Sequence, residues 1–365
     1  LTPEELRSVY RGRRVLVTGH TGFAGGWLTT WLAELGARVG GYSLAPATEP
    51  NLFTAARVAD SMVGDTEGDI RDLGPLEAAW RETRPEVVFH LASQPLAVES
   101  VRDPLAIVTV NLLGVAHVLE LARRKPSPTA VILVMNDRGY ELREGPYPYR
   151  ETDPIGGHDV STASRTAAEQ LALGFRDGPL ADRGVGVACV RVGSAIGGGD
   201  WTRGILVPDC VRALADGQAV QVRHPRTVRP WQHILEPLSG YLTLGGRLLA
   251  SGAAERQKFS GAWNFGPARG TDRTVWELVE AMIANWGSGS WERLKETAAD
   301  REGTPLHLSI DKAREMLGWQ PHLTFEETVS FTVDWYRAFY AGDDMGGWCR
   351  RQIASYMEPA EDVGG

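Results

Sequence analysis

Residues 15–27 read VLVTGHTGFAGGW, and this stretch decides the fold. A β-branched apolar run ends at Thr18, glycines follow at Gly19, Gly22 and Gly25, and a helical pattern over 23–35 leads to a second strand signal over 38–42. Strand, phosphate-binding turn, helix and strand in that order make the βαβ unit of a dinucleotide-binding fold. Gly19 permits the tight turn, Gly22 lets backbone N–H groups approach a pyrophosphate, and Gly25 lets helix and strand pack closely. The positive end of the helix faces the ligand, with Thr21 and Phe23 beside it as further expected cofactor contacts. Glycines also gather in ordinary turns, so it is the βαβ context that selects this reading.

Working outward, strands and helices keep alternating. The polar stretch GDTEGDIRD (64–72) reads as a loop at a strand end, where open sheets bind ligands, and offers Asp69 and Ile70 as adenine contacts. Helical periodicity over 73–84 stops at Pro85. The buried parallel strand 86–91 then runs through Leu91 into Ala92-Ser93-Gln94-Pro95, small residues that let the backbone pass close to a cofactor. A long helical pattern over 104–124 carries Asn111 inside it, and 130–135 is another buried strand. The Gly-, Pro- and Tyr-rich loop 140–158 precedes a helix over 159–175 and a strand over 185–192. The expected fold is α/β, a doubly wound parallel sheet, with residues 1–190 as the cofactor domain. From Gly193 the alternation is lost. Residues 191–345 read mainly as a smaller substrate lobe with some segments returning to the cofactor domain, and 346–365 as a C-terminal tail.

Composition narrows the function. The net charge of -8 has no basic block to offset it, which argues against nucleic acid as a partner. No apolar run reads as long enough to cross a bilayer, and the first residues, LTPEELRSVYRGRR, lack the apolar core of a signal peptide, so a cytoplasmic setting is expected. Cys189, Cys210 and Cys349 are far apart, without metal-ligand spacing, and read as reduced thiols; no metal is expected.

Several longer segments carry a resemblance. VTGHTGFAGGWL (17–28), GYSLAPATEPNLF (41–53), GDIRD (68–72), FHLASQPL (89–96), IGGGDW (196–201), RPWQHILEPLSGYL (229–242), WNFGP (263–267) and LGWQP (317–321) resemble the extended short-chain dehydrogenase/reductase superfamily. Within it they are similar to the CDP-glucose 4,6-dehydratase family. IGGGDW and RPWQH are far more specific than the glycine turn. The resemblance implies tight NAD binding, a cytidine diphosphate sugar as substrate, and homodimers through two long helices, here 104–124 and 159–175. It also implies a redox-neutral reaction in which hydride leaves sugar C4 for NAD+, water is eliminated across C5 and C6, and hydride returns to C6.

The chain departs from that family where the chemistry is done. The family pattern Thr-Ser-Asp-Lys-Cys-Tyr appears as Met135-Asn136-Asp137-Arg138-Gly139-Tyr140, and the superfamily's Tyr-x-x-x-Lys appears as Ser161-Thr162-Ala163-Ser164-Arg165. A tyrosine beside a lysine can accept the alcohol proton as hydride departs, whereas a serine hydroxyl ionises far less readily. Arg165 can hold a cofactor ribose or supply a cation, but it does not exchange protons near neutral pH. With Asn136, Ser161 and Arg165 all changed and the cofactor turn intact, the function is read as changed. Remaining polar candidates are Asp137, Arg138, Tyr140, Tyr147, Tyr149 and His158. Asp137 serves as an acid if burial lifts its pKa, and His158 titrates near neutrality unaided. Against these stands the plain alternative of solvated loop residues and, for Tyr147 and Tyr149, loop packing.

On the substrate side, Arg229 with Pro230, Trp231 and His233 offers a cation beside aromatics, suited to a diphosphate and a stacked base. Asp200 and Trp201 close the glycine loop and shape the sugar pocket. Ser194 stands where the family has asparagine, and Asn264 lies in the matching WNFGP segment. The second strand ends in Tyr42-Ser43-Leu44, without the acidic residue that commonly holds a ribose, and Arg57 is the one cation within reach of a 2′-phosphate; NAD is the expected cofactor, with Ser43 at the ribose. The leading expectation is an NAD-binding nucleotide-sugar-modifying enzyme with an altered active site. Behind it stand a non-redox epimerase or lyase using Asp137 or His158, and a catalytically silent homologue acting as a binding or regulatory subunit.

Overall fold

Seven of the strands lie side by side in one wholly parallel sheet: β1 (Arg14–Thr18), β2 (Arg38–Ser43), β3 (Gly64–Glu67), β4 (Val87–His90), β5 (Ala130–Asn136), β6 (Gly186–Val192) and β7 (Gly261–Phe265), in the spatial order β7-β6-β5-β4-β1-β2-β3. The computed structural model describes residues 1–94, 103–124, 126, 128–143, 147–267, 270, 272–294 and 306–358. Pro95, residues 144–146 of the tyrosine-rich loop and residues 359–365 of the expected tail lie outside them. Successive side chains of a strand point to opposite faces, so Val15 and Val17 join the core on one side and Leu16 the core on the other. Both faces are covered by helices, as a doubly wound sheet requires. Strand order reverses between β1 and β4, whose last residues Thr18 and His90 are paired, and the crevice above that switch point is where such sheets take ligands.

Three segments differ from the sequence reading. Residues 64–67, read as loop, pair with β2 as the edge strand β3; its mostly exposed GDTE sequence is polar because an edge strand faces water. Met345–Met357, read as the start of a tail, is a helix that buries Cys349, Ile353 and Tyr356 against the core. The helical stretch Pro104–Arg123 is, by length and composition alone, apolar enough to cross a membrane, which corrects the reading that no run is. Its length is as the sequence reads it, with Asn111 and His117 as polar interruptions. It has a π-helical turn at Thr109–Leu113, and Asn111 reaches across from it to Ser164 of the helix Val160–Asp177.

Past β6 the chain builds short two-stranded ladders: Ala195–Ile196 with Gln232–His233, Val228–Arg229 with Arg273–Thr274, and Val220–Val222 with Trp291–Arg293. The almost wholly buried helix Leu235–Ala250 then returns to the main layer. Tyr10 donates from its hydroxyl to the Leu242 carbonyl at 2.8 Å, tying the N-terminal helix Pro3–Tyr10 to it.

Candidate active site

The glycine turn is shaped by two close approaches. Gly19 has φ +78°, and a Cβ there would meet the Ala92 backbone nitrogen at 2.7 Å; a Cβ on Gly25 would stand 2.0 Å from the Gly19 carbonyl oxygen. Gly22 is the N-cap of the helix Phe23–Glu34 and brings no side-chain cap, leaving the first helical N–H groups open to an anion. The cleft above the turn is lined by Gly19, Thr21, Gly22, Ser43, Asp69, Ile70, Leu91, Ala92, Ser93 and Gln94, as the sequence expects. Tyr42, Leu44, Ala45, Ala47, Gly68 and Val110 line it too, residues that carry no local signal of their own. Gly25 and Asn111 act from beneath: Asn111 is 3% exposed, and its Oδ1 accepts from the Gln94 N–H at 2.9 Å while its Nδ2 donates to Ser164 Oγ at 3.0 Å. The Phe23 ring lies toward Gly197, away from the cleft, so its contribution is its backbone at the helix start.

The ribose end of the cleft is neutral. The Thr21 hydroxyl meets Ser43 Oγ at 2.8 Å and the Leu44 carbonyl at 2.8 Å. Among the described lining residues there is no lysine or arginine, and Arg57 lies instead in a separate surface cavity with Asp344 and Arg350. Asp69 keeps its carboxylate on Arg71, whose hydrogen bonds hold its pKa below the ordinary value. None of the cleft's described lining residues offers a 2′-phosphate a counter-charge.

Asp137 follows β5 in a short 3-10 turn with Arg138 and Gly139. The residue is half-buried, but its carboxyl is enclosed against Gly193, and burial pushes it up to about 6, with Arg138 and then Arg229 acting in the opposite sense. Arg165 also acts on it; that guanidinium is drawn down to about 10 by burial, partly offset by Asp137. Arg165 Nη2 donates to Ser93 Oγ at 2.8 Å, which ties it to the cofactor cleft. Asp137 thus feels its neighbour Arg138 and two arginines from distant positions, Arg165 and Arg229. Ser161 is 2% exposed, and its hydroxyl donates to the Gln94 carbonyl at 3.4 Å. Asn136 ends β5 beside Asp137 and is half-buried.

The other candidates are dispersed. His158 is exposed, and its backbone N–H donates to Thr162 Oγ1 at the start of the helix Val160–Asp177; no contact brings its ring to Asp137. Tyr147 is 77% exposed. Tyr140 is fully buried, donates to Asn264 Oδ1 at 2.7 Å, lies under the Arg191 guanidinium, and is pushed up to about 12 by burial. Tyr149 packs against it with ring centroids 4.9 Å apart. Asn264 has no exposed surface: Nδ2 donates to the Tyr149 carbonyl, and its N–H donates to Glu151 Oε1. Its amide is spent inside the protein, which corrects its placement among substrate contacts. His233 is corrected likewise. It is wholly buried between Trp27 and Phe331, its Nδ1 accepts from the Leu235 N–H, and burial lowers its pKa to about 3, so it is a neutral core imidazole.

Arg229 and Trp231 do line a cavity, of about 540 Å3, together with Leu206, Gln221, Arg223 and His224 among others. Trp231 donates from Nε1 to the Arg273 carbonyl at 3.1 Å, which fixes the wall. The sequence reading missed Arg223, His224 and Thr227, although RHPRT (223–227) is a visible basic cluster. Trp201 is a core residue among Trp335, Tyr336 and Phe339. Asp200 accepts from the Thr202 N–H at 2.9 Å, and burial raises its pKa. Ser194 has φ +52°, a left-handed conformation uncommon outside glycine and asparagine, in the turn that follows Gly193.

Comparison with known proteins gives consistent matches. Residues 15–246 match the model of the NAD dependent epimerase/dehydratase family. The chain is 40% identical over 356 residues to a CDP-glucose 4,6-dehydratase of Salmonella typhimurium, covering 96% of this chain and 98% of that protein. Among solved structures, an epimerase of Methanothermobacter thermautotrophicus superposes with a TM-score of 0.77 at 23% identity, over 95% of this chain and 97% of that one. A dTDP-glucose 4,6-dehydratase of Bacillus anthracis, solved in complex with NAD, does so with a TM-score of 0.74 at 20% identity, over 92% and 100%.

Proposed function

Since the chain belongs to the NAD dependent epimerase/dehydratase family, we propose that it modifies a cytidine diphosphate sugar with an altered catalytic constellation and a changed reaction. Its cofactor is NAD, and the cradle formed by Gly19, Gly22 and Gly25, with a cation-free ribose end, fits it. When bound, NAD supplies an acceptor and donor of hydride beside the sugar. The chain's own residues do the rest. Arg229 and Trp231 hold the diphosphate and stack the base. Arg138 and Arg165 bring positive charge that stabilises negative charge developing on a sugar oxygen.

The single observation that carries this reading is the position and pKa of Asp137. Burial pushes its carboxyl up to about 6, and both Arg165, bonded to the cofactor cleft, and Arg229, of the nucleotide cavity, act on it electrostatically. Ser161 has its hydroxyl committed to Gln94 and serves poorly as a base. A lone carboxyl that takes and returns one proton, flanked by fixed cations, also favours a second reading: an epimerase or lyase that exchanges a sugar proton without net redox change.

The same reading includes a homodimer. Leu105, Leu113 and Val160, on the two long helices, remain 71%, 40% and 38% exposed, a set of apolar side chains suited to a second copy of the chain.

Mass spectrometry of CDP-glucose incubated with the protein in deuterated water tests the proposal. No loss of water is expected, and the position of any deuterium gained reports the C–H that the changed reaction touches. Loss of one water with deuterium incorporated would mean ordinary dehydration and overturn the changed reaction. Unchanged sugar that nonetheless binds, with NAD released on denaturation, would favour the silent homologue. Where turnover is found, Asp137→Asn abolishes it and leaves CDP and NAD binding unchanged.

A further inference from the structure

Arg191 is a buried charge beneath the site. It is 3% exposed on β6, and its register neighbours are Met135 of β5 on one side and Asn264 of β7 on the other. Its partner is Glu169, also 3% exposed, on the helix Val160–Asp177: Nε donates to Oε2 at 3.1 Å and Nη2 to Oε1 at 2.5 Å. Such a bidentate pair fixes direction as well as distance.

The same guanidinium reaches both halves of the site. Ser161, Arg165 and Glu169 follow one another at intervals of four residues and share one face of their helix. Whatever holds Glu169 therefore sets the rotation at which Arg165 meets Ser93. On its other side the Arg191 guanidinium lies 4.6 Å over the Tyr140 ring, and Nη1 donates to the Glu151 carbonyl at 3.4 Å. Tyr140 closes the turn that begins at Asp137, its N–H donating to the Asp137 carbonyl at 3.4 Å, and Asn264 Oδ1 holds its hydroxyl at 2.7 Å. Gly193, which encloses the Asp137 carboxyl, is two residues beyond Arg191 along the chain. The neighbouring ionisable groups are engaged elsewhere: Glu151 Oε1 accepts from the Asn264 N–H, and Lys312 donates to the Ala262 carbonyl above the Trp263 ring.

We propose that Arg191 is the positioning residue of this site, a buried fork that sets the helix carrying Ser161 and Arg165 against the turn carrying Asp137 and Arg138. Its importance for the reaction rests on the reading of Asp137 as the proton carrier. A buried ion pair is a poor source of stability, because well-packed apolar side chains of similar volume often do as well or better. What they do not supply is a fixed angle between two segments. A planar group bonded along one edge and stacked on its face does supply it. Without the fork, turn and helix separate, the Asp137 carboxyl reaches water, and Arg165 loses its place at Ser93.

The test replaces the pair by apolar residues, Arg191→Met with Glu169→Leu, in the full chain. Three quantities are measured: the urea midpoint, the titration of the Asp137 carboxyl by carbon-detected NMR, and the affinity for NAD by calorimetry. The midpoint is expected to hold. The titration is expected to fall from about 6 by about one pH unit or more as the burial is lost. NAD affinity is expected to fall about ten-fold, the worth of one hydrogen bond from a charged group. A folded double variant with either the titration or the NAD affinity at its wild-type value would overturn the inference and leave Arg191 a packing residue. Arg191→Lys, made alone, keeps the charge and loses the fork, and is expected to move both readouts in the same directions. Wild-type values for both in Arg191→Lys would show that charge without geometry suffices; that result overturns the inference even where the double variant fails to fold. Neither readout involves a sugar, so a failure to turn over CDP-glucose counts against the proposed function and not against the placement by Arg191.

Discussion

Asp137 lies so close to Gly193 that a Cβ at position 193 would stand 1.7 Å from Asp137 Oδ2. The carboxyl fills the space a side chain would need, so the glycine after β6 is part of the site as much as the aspartate after β5. Gly193→Ala meets the far end of a side chain, and the carboxyl gives way while the fold persists. Released into water, it loses the burial that holds it near 6 and titrates toward 3.8. Carbon-detected NMR of labelled aspartate reads this directly. A titration that stays where it is would show that Gly193 does not enclose the group.

The same enclosure has a cost in stability that depends on pH. The native carboxyl titrates at about 6, above its ordinary 3.8. Between those values the native state keeps a proton that the unfolded chain has released, so stability falls as pH rises through this window and the full penalty is present above it. Asp137→Asn removes the charge and is expected to gain about 2 kcal/mol near pH 8, after allowance for partial solvent access, and nothing below about pH 4. Urea unfolding at the two pH values measures the difference. A gain that is equal at both would assign it to packing.

What the sequence discloses and what it hides follow from how local the cause is. Gly25 is dictated by its approach to the Gly19 carbonyl within one βαβ unit, Gly19 by the tight turn it makes at φ +78°, and Leu91 to Gln94 by where a buried strand ends, so all three read directly, although the approach of Ala92 to Gly19 does not. His233 has the chemistry of a ligand and a tryptophan two residues away. Its burial is decided by Trp27 and Phe331, about two hundred and one hundred residues off, which no local pattern announces. The cavity that Arg229 and Trp231 line is likewise assembled beside a ladder between Val220–Val222 and Trp291–Arg293, so Arg223 and His224 join it only when distant strands meet. Asn264 is expected at the substrate because its WNFGP segment matches the family; in the structure Tyr140 and Tyr149 claim its amide.

Restoring the family's residues tests which step was lost. Asn136→Ser, Ser161→Tyr and Arg165→Lys together return a hydroxyl with a cation beside it, the pair that accepts an alcohol proton. Arg138 stays, and an arginine does not take a proton from carbon near neutral pH. The triple variant is therefore expected to reduce bound NAD with CDP-glucose, seen in the near-ultraviolet absorbance, but to release no dehydrated sugar until Arg138→Lys is added. Dehydration by the triple variant alone would show that Asp137 supplies the second base.

Far from the site, Glu236 fastens the C-terminal helix. It is 1% exposed; Oε1 accepts from the His322 and Leu323 N–H groups at 2.8 and 2.6 Å, and Oε2 accepts from the Tyr356 hydroxyl at 2.6 Å. Burial pushes its pKa up to about 7, the hydrogen bonds acting in the opposite sense. Tyr356→Phe leaves one buried oxygen unmatched, a loss of about 2 kcal/mol when the carboxylate is ionised. Below about pH 7 the protonated carboxyl bears the loss more easily, because its desolvation penalty is smaller. The destabilisation is therefore larger near pH 8 than near pH 6, as read from urea midpoints. The opposite order would mean that Glu236 stays protonated throughout and that Tyr356 holds the helix by packing against Trp31 and His322.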